Sequence, residues 1–319
     1  MMKLAVFNPV LYSMSLEESL KYLQSLGVDC MEFGCGGFPG TTHASAVELA
    51  KNPKKLQEIN GLFEKYKVKI CALSVHGNGV HPNKKEADAA TADFNAACEI
   101  ASKLGVDRIV TFSGCPGDKK SEYPNWVTCC WPPCYQEVLQ WQWNEVLIPY
   151  WKKQATVAKD AGVKVCFEMH PGFCVYNPET MMRLRNAVGD TLGANLDPSH
   201  LYWQGMDIVE VIKYLGDAIY YFHAKDTMFN NNQKAVNGVL DTKSFNEELK
   251  RSWLFRTVGY GGCDWKAIVS ALRLVGYDYV MSIEHEDSLM TPKEGLEKAI
   301  EYLKQVMIFE ENKTESWWA

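Results

Sequence analysis

Four short segments in the second half of the chain each carry an acid or an imidazole where an apolar run ends. They read Phe167-Glu168-Met169-His170, Asn195-Leu196-Asp197-Pro198-Ser199-His200, Phe222-His223-Ala224-Lys225-Asp226 and Ile283-Glu284-His285-Glu286-Asp287. A single acid at such a position is ordinarily hydrogen-bonded or solvated. Four of the right type at four successive run ends describe one site. Glu168, Asp197 and Glu284 offer hard oxygens and His223 a borderline nitrogen, a donor set suited to Mn²⁺, with Mg²⁺, Co²⁺ or Zn²⁺ as substitutes. The chain therefore reads as a metalloenzyme.

The elements that must bring these groups together follow from patterning. Eight short apolar runs, at 4–10, 30–33, 69–75, 108–112, 164–169, 192–196, 219–222 and 279–283, alternate with stretches that repeat apolar residues at i, i+4 and i+7, such as Leu296, Ile300 and Leu303. Ser15 with Glu18 three residues on is a capping box, and Thr291-Pro292 followed by Glu294 opens the last helix. Leu26-Gly27-Val28, Leu104-Gly105-Val106, Ala161-Gly162-Val163 and Val275-Gly276-Tyr277 each read as a helix ending on a left-handed glycine before the next strand. Eight repeated βα units predict an α/β fold, a closed (β/α)₈ TIM barrel, as one domain over residues 1–319. Two segments break the rhythm, about 115–143 after strand four and 227–263 after strand seven. Both fall on the βα side, where barrels build their sites. No Gly-x-Gly-x-x-Gly follows the first strand, so no nucleotide cofactor is expected.

Composition narrows the partners. With 33 basic and 39 acidic residues the formal charge is −6, which offers no footprint for nucleic acid and no polybasic patch for a membrane. Pro9 comes too early for a secretory apolar core, and no apolar run approaches the length of a membrane span. A cytoplasmic location is expected. The 11 cysteines lack a paired framework and read as reduced thiols; the local trio Cys129, Cys130 and Cys134 is a weak candidate for structural zinc.

These residues carry a resemblance that covers nearly the whole chain. Glu168, Asp197 with His200 in Asp-Pro-Ser-His, His223 in His-Ala-Lys-Asp, Glu284 and the stretch Arg256-Thr257-Val258-Gly259-Tyr260-Gly261 before Asp264-Trp265 resemble the xylose isomerase-like barrel superfamily of sugar isomerases and epimerases. In relatives of the tagatose/psicose epimerase type the same four ligands hold Mn²⁺. The resemblance implies Glu168 and Glu284 as an acid/base pair, and His200 and Arg256 as contacts to substrate oxygens. Removing a proton α to a carbonyl builds an enediolate, whose charge a divalent ion stabilises. His76, ending strand three, and Lys225 are further candidate substrate contacts, whereas His170 and His285 read as packing or supporting groups. Abasic-site endonucleases of the same superfamily hold three zinc ions. Here strand four ends Thr111-Phe112-Ser113-Gly114 without a histidine, and a nuclease is not expected. A clear second ligand set of the kind xylose isomerase proper uses is not found either.

The first inserted segment is rich in flat side chains, among them Trp126, Trp131, Trp141 and Trp143, and Trp203 follows His200. Trp141 and Trp143 read equally well as a buried helix start. Trp126, Trp131 and Trp203 are candidates for stacking on a sugar face or on an aromatic group attached to it. The long loop, the tail at 310–319 with Trp317 and Trp318, and Asp197-Pro-Ser-His-Leu-Tyr-Trp-Gln-Gly205 look most like the α subunits of C-glycoside-deglycosylating enzymes. That resemblance implies a 3-oxo C-glucoside of an aromatic aglycone as substrate, a lyase reaction, and a small β subunit within a higher oligomer. A ketose epimerase of the tagatose/psicose type is the alternative, and a non-catalytic sugar-binding barrel a lesser one.

Overall fold

The computed structural model describes residues 2–310, so Trp317 and Trp318 lie outside the described residues. Among the described residues ten strands form: β1 (Lys3–Phe7), β2 (Cys30–Gly34), β3 (Lys69–Ser74), β4 (Arg108–Thr111), β5 (Lys164–Glu168), β6 (Leu192–Leu196), β7 (Ile219–Ala224), β8 (Asp226–Phe229), β9 (Trp253–Arg256) and β10 (Val280–Ile283). β1 to β7 and β10 close into a parallel barrel, with β10 between β7 and β1. The eight expected strands are these eight. The first is shorter than its apolar run because Pro9 cannot donate to a ladder; the chain leaves the sheet at Phe7 and makes a 3₁₀ turn over Asn8–Leu11.

Helices return the chain between strands as their caps dictate. Ser15 and Glu18 exchange both capping-box bonds at the start of helix Leu16–Ser25, and Thr291 caps helix Pro292–Val306. Gly27, Gly105, Gly162 and Gly276 all adopt positive φ, between 67° and 79°, as a helix stop feeding a strand requires. The apolar faces of helices and strands form one large core, while Ala5, Ala72, Val110, Cys166 and Tyr221 form a smaller one. By the two-residue period of a strand, Ala72, Cys166 and Tyr221 lie on the same face as Ser74, Glu168 and His223. The smaller core is thus the filling of the barrel beneath the site.

The inserted segments have more structure than loops. Residues 134–141 are helical (Cys134–Trp141) and run through a π-helical stretch, Gln142–Leu147, into helix Ile148–Asp160. Trp143 is buried there with the Arg183 guanidinium 4.1 Å from its ring centroid, which makes it a packing residue. In the second segment β8 and β9 pair as an antiparallel ribbon, Asp226 opposite Arg256 and Phe229 opposite Trp253. Asp226 anchors the ribbon: its carboxylate accepts from the backbone N–H of Gly259 and Cys263 and from the Trp265 indole at 2.7 Å. Gly261 is required beside it, because a Cβ there would collide with that carboxylate.

Cys129, Cys130 and Cys134 are exposed free thiols, and neither group of converging metal-type ligands among the described residues includes a cysteine. Among the described residues no helix is long and apolar enough to cross a membrane.

Candidate active site

Glu168 closes β5, Asp197 follows β6, His223 lies in β7 and Glu284 follows β10. These four neighbouring strand ends bring one ligand atom from each residue within 4.8 Å of every other. Local sequence explains the aim. Asp197 caps helix Pro198–Trp203, its Oδ1 accepting from Ser199 N at 2.8 Å, which leaves Oδ2 for the site. The same short helix carries His200 to the site, its Nε2 3.0 Å from Glu168 Oε1. His76, just after β3, donates from Nε2 to Glu168 Oε2 at 2.9 Å.

The donor set fits a divalent cation. Asp197 Oδ2, His223 Nδ1 and Glu284 Oε2 are buried and lack a hydrogen-bond partner, an arrangement a fold does not normally keep without a ligand. His223 Nδ1 is 3.1 Å from Glu284 Oε2 and 3.6 Å from Glu168 Oε2. Its other nitrogen is held from behind by Glu32, at 2.9 Å to Oε2.

Glu32 is a site residue that the sequence pattern does not single out. It is fully buried in β2 and accepts from His223 Nε2, Ser74 Oγ and Ser282 Oγ. The β2/β3 register shifts between Met31 and Glu32, the kind of irregularity that re-aims a side chain. The signal available is a lone acid inside an otherwise apolar run, Cys30-Met-Glu-Phe33. A carboxylate behind a ligating histidine fixes its tautomer and raises its basicity. Glu32→Gln is expected to weaken Mn²⁺ binding by about 10- to 100-fold, read by competition with a fluorescent chelator. Unchanged affinity would remove Glu32 from the site's machinery.

Lys225, a candidate substrate contact from the sequence, is buried within the cluster. It is 1 % exposed, and its Nζ lies 3.2 Å from Asp197 Oδ2, 2.8 Å from Glu284 Oε2 and 2.9 Å from Glu286 Oε2. The first two contacts are at ion-pair distance without hydrogen-bond geometry, so Asp197 Oδ2 and Glu284 Oε2 face the ammonium as charges. Burial opposes the charge, but Asp197, Glu284 and Glu286 together hold the ammonium well above its ordinary pKa. Lys225 also donates to His200 Nε2 at 3.2 Å. Burial, with Lys225 and His170 alongside, keeps His200 neutral.

The other groups of the protein alone divide in the same way. Burial works against ionisation of Glu168, yet His200, His76 and His223 hold it well below the usual carboxylate range. His223 is pushed up by Glu32 and Glu284 against the effect of burial. Burial raises Asp197 to about 7, with Glu284 and Glu168 adding to it and Lys225 opposing. Asp197 is therefore protonated at acidic pH, and a cation must displace that proton. Mn²⁺ affinity is expected to fall as the pH drops through about 7, where Asp197 takes up its proton, and to go on rising above that pH while His223, itself pushed up, sheds its own. Calorimetry in buffers of differing ionisation enthalpy would detect the released proton; a flat pH profile would contradict it.

The cleft above these residues has a volume of about 480 Å³ and is lined by Phe7, Phe38, His76, Phe112, Glu168, His170, Lys225, Glu284 and Glu286 among others. Gly37 lets its loop cross directly over the His76 carbonyl, where a Cβ would clash, at a φ of 65°. His170 packs on His200 with ring centroids 4.1 Å apart and lines the cleft, nearer the chemistry than a packing residue need be. Arg256, expected at a substrate oxygen, is turned to Asp287: Nε donates to Oδ2 at 3.0 Å, and Arg256 is not among the cleft-lining residues. Its charge is already satisfied by that carboxylate. Trp131 is 73 % exposed and lines neither the cleft nor a neighbouring cavity, whereas Trp126 and Trp203 line a cavity beside the cleft.

Fold and site together define a parallel (β/α)₈ barrel with a cation-ready cluster of carboxylates and histidines at the C-terminal ends of its strands. The chain belongs to the xylose isomerase-like TIM barrel family, whose model matches residues 20–306. It is 37 % identical to the uncharacterized protein YfiH of Bacillus subtilis (strain 168) over 96 % of this chain and 99 % of that protein. It is 27 % identical to an inosose dehydratase of Clostridium perfringens (strain ATCC 13124), over 48 % of this chain and 51 % of the relative. Among solved structures it is similar to that of an IOLI protein with a bound zinc atom, at 22 % identity and a TM-score of 0.68, covering 96 % of this chain and 98 % of the other. That last likeness is one of fold.

Proposed function

We propose that the protein is a divalent-metal-dependent enzyme that removes a proton α to the carbonyl of a keto sugar. The observation that carries this reading is the convergence of Glu168, Asp197, His223 and Glu284, with three of their donor atoms buried and without a hydrogen bond. A bound divalent cation, Mn²⁺ in the first instance, would supply the fixed positive charge that the developing oxyanion needs. The chain's own groups do the rest. Glu168 and Glu284 stand at the site as proton acceptor and donor. The neutral His200, His76 and the Lys225 ammonium offer hydrogen bonds to sugar oxygens. Phe7, Phe38 and Phe112 give the mouth of the cleft an aromatic lining.

We favour elimination as the outcome, as C-deglycosylation of a 3-oxo C-glucoside of an aromatic aglycone. The proton leaves C2 for a carboxylate and the C2–C3 enolate forms. The C3 carbonyl then re-forms as a C1–C2 double bond is made, and the C1–aglycone bond breaks with its electron pair going to the aglycone carbon, which takes a proton. No oxidant is required. The relative's name, inosose dehydratase, denotes another elimination, which supports a lyase outcome. Epimerisation of a ketose shares the first step and differs only in returning the proton to carbon.

The test is to incubate the purified, Mn²⁺-loaded protein in D₂O with a 3-oxo aryl C-glucoside and, separately, with a panel of ketohexoses, following both by NMR. A small second subunit, if it is required, is supplied in a parallel series. Release of free aglycone supports the lyase. Deuterium in a new ketose epimer selects the epimerase, and absence of both exchange and release in every series rejects proton abstraction.

A further inference from the structure

Glu168 has two oxygens, and they face two different sets of ligands. Oε2 turns to the cluster already described, 3.6 Å from His223 Nδ1, whereas Oε1 lies 3.0 Å from His200 Nε2. His170, two residues on from Glu168, completes the other side: Glu168, His170 and His200 each bring one ligand atom within 4.8 Å of the others. Only the carboxylate is common to both groups. Sequence hides the second one because His170 follows β5 while His200 follows β6, and neither imidazole stands at a strand end.

Both imidazoles present a bare nitrogen. His170 Nδ1 donates to the Pro171 carbonyl at 2.6 Å, which fixes the tautomer and leaves Nε2 its lone pair. His200 Nε2 is 3.2 Å from the Lys225 ammonium, a group with donors only, so this nitrogen accepts. Glu168 Oε1 and His200 Nε2 therefore meet as two acceptors. Their 3.0 Å separation is close to the edge of roughly 3.3 Å between ligands of a tetrahedral zinc ion.

Charge leaves room for a second cation. Glu32, Glu168, Asp197, Glu284 and Glu286 are linked through His223 and Lys225 into one network. Against these five carboxylates, the ammonium and one divalent ion supply three positive charges. A second divalent ion closes the balance.

We propose that Glu168, His170 and His200 hold a second divalent ion, Zn²⁺ by preference, and that Glu168 bridges it to the ion of the first cluster. Two imidazoles and one carboxylate are a set that catalytic zinc uses, unlike the oxygen-rich first set, so the two sites favour different metals. Glu168 and His170 line the cleft, which leaves the remaining position to water or a substrate oxygen. Lys225 must release His200 as the ion enters, keeping its three carboxylates, and the second ion binds more weakly than the first. The inference rests on the metal reading of the first cluster and on no particular reaction.

The test uses metal alone. Metal-free protein is dialysed against increasing Zn²⁺ and the bound ions are counted by atomic emission, beside the same series with His170→Phe. That variant keeps a ring against Phe112, Phe173 and His200 and removes the nitrogen. Two ions per chain are expected in the natural protein and one, still tightly held, in the variant. Electron paramagnetic resonance of the natural protein saturated with Mn²⁺ should show a spin-coupled pair, because the two ions share a carboxylate; this reading does not depend on the variant's folding. One ion per chain in the natural protein overturns the second site. So does a second ion that survives His170→Phe or shows no coupling, as an ion on the exposed thiols of Cys129, Cys130 and Cys134 would. Failure to bind any divalent ion rejects the first cluster as a metal centre too.

Discussion

Glu168→Gln is expected to lower deuterium exchange into the substrate by about 10²- to 10⁴-fold, the range that a positioned acid or base contributes. The amide keeps the shape of the side chain and one carbonyl oxygen but cannot carry a proton from carbon. It also puts an amide group beside either His76, which donates to Oε2, or His200, whose Nε2 lies 3.0 Å from Oε1, so metal content must be measured alongside, by atomic emission. Glu284→Gln completes the experiment. If the two carboxylates serve opposite steps, one variant loses exchange and the other keeps exchange while failing to form product. Full activity in both, with metal bound, would end the acid/base assignment and leave a binding barrel.

A second substitution should act in opposite directions on the two forms of the protein. Lys225 is a buried cation among Asp197, Glu284 and Glu286. Lys225→Met leaves their charges uncompensated, and stripping one partner from a buried pair costs about 3–5 kcal/mol. The metal-free protein is therefore expected to melt roughly 10 °C lower. The same change removes a positive charge from beside two metal ligands, so Mn²⁺ affinity should rise by about tenfold or more. Since a ligand that binds the folded form adds stability by mass action, the gap in Tm between metal-free and Mn²⁺-loaded protein widens. Differential scanning calorimetry with and without Mn²⁺ measures both effects; an affinity that falls would show that Lys225 positions the ligands rather than competes for them.

Much of the fold and of the metal cluster is legible in the order of residues alone. Period-two and period-3.6 patterning separates strands from helices, and glycine stops mark their junctions, so eight units and the barrel follow. The four candidate ligands are visible because each stands at a strand end, where one residue's position decides its role. What patterning does not reveal depends on contacts between distant segments. Glu32 is 191 residues from His223 and sits inside a strand, where an acid looks like an anomaly. Arg256 has a ligand-like neighbourhood in sequence but meets Asp287, 31 residues on. The ribbon is hidden because Asp226–Phe229 and Trp253–Arg256 are four residues each and acquire their strand character only by pairing with one another. Trp131 and Trp203 have the same composition signal and opposite fates, one exposed and one stacked, because only Trp203 has Trp253 opposite it.

The ribbon is tied down at both of its roots by carboxylates. Asp226 gathers Gly259, Cys263 and Trp265, and Asp287 receives the Arg256 side chain and the Thr257 N–H at 2.8 Å. The segment between those two moorings, residues 227–255, contains none of the four converging groups and touches them indirectly, through Phe255 against His200 and Lys225. That makes the segment a natural cassette. Exchanging residues 227–255 between members of the family, with Asp226 and Arg256 kept from the host, should transplant preference for one substrate over another while leaving the reaction itself to the host barrel.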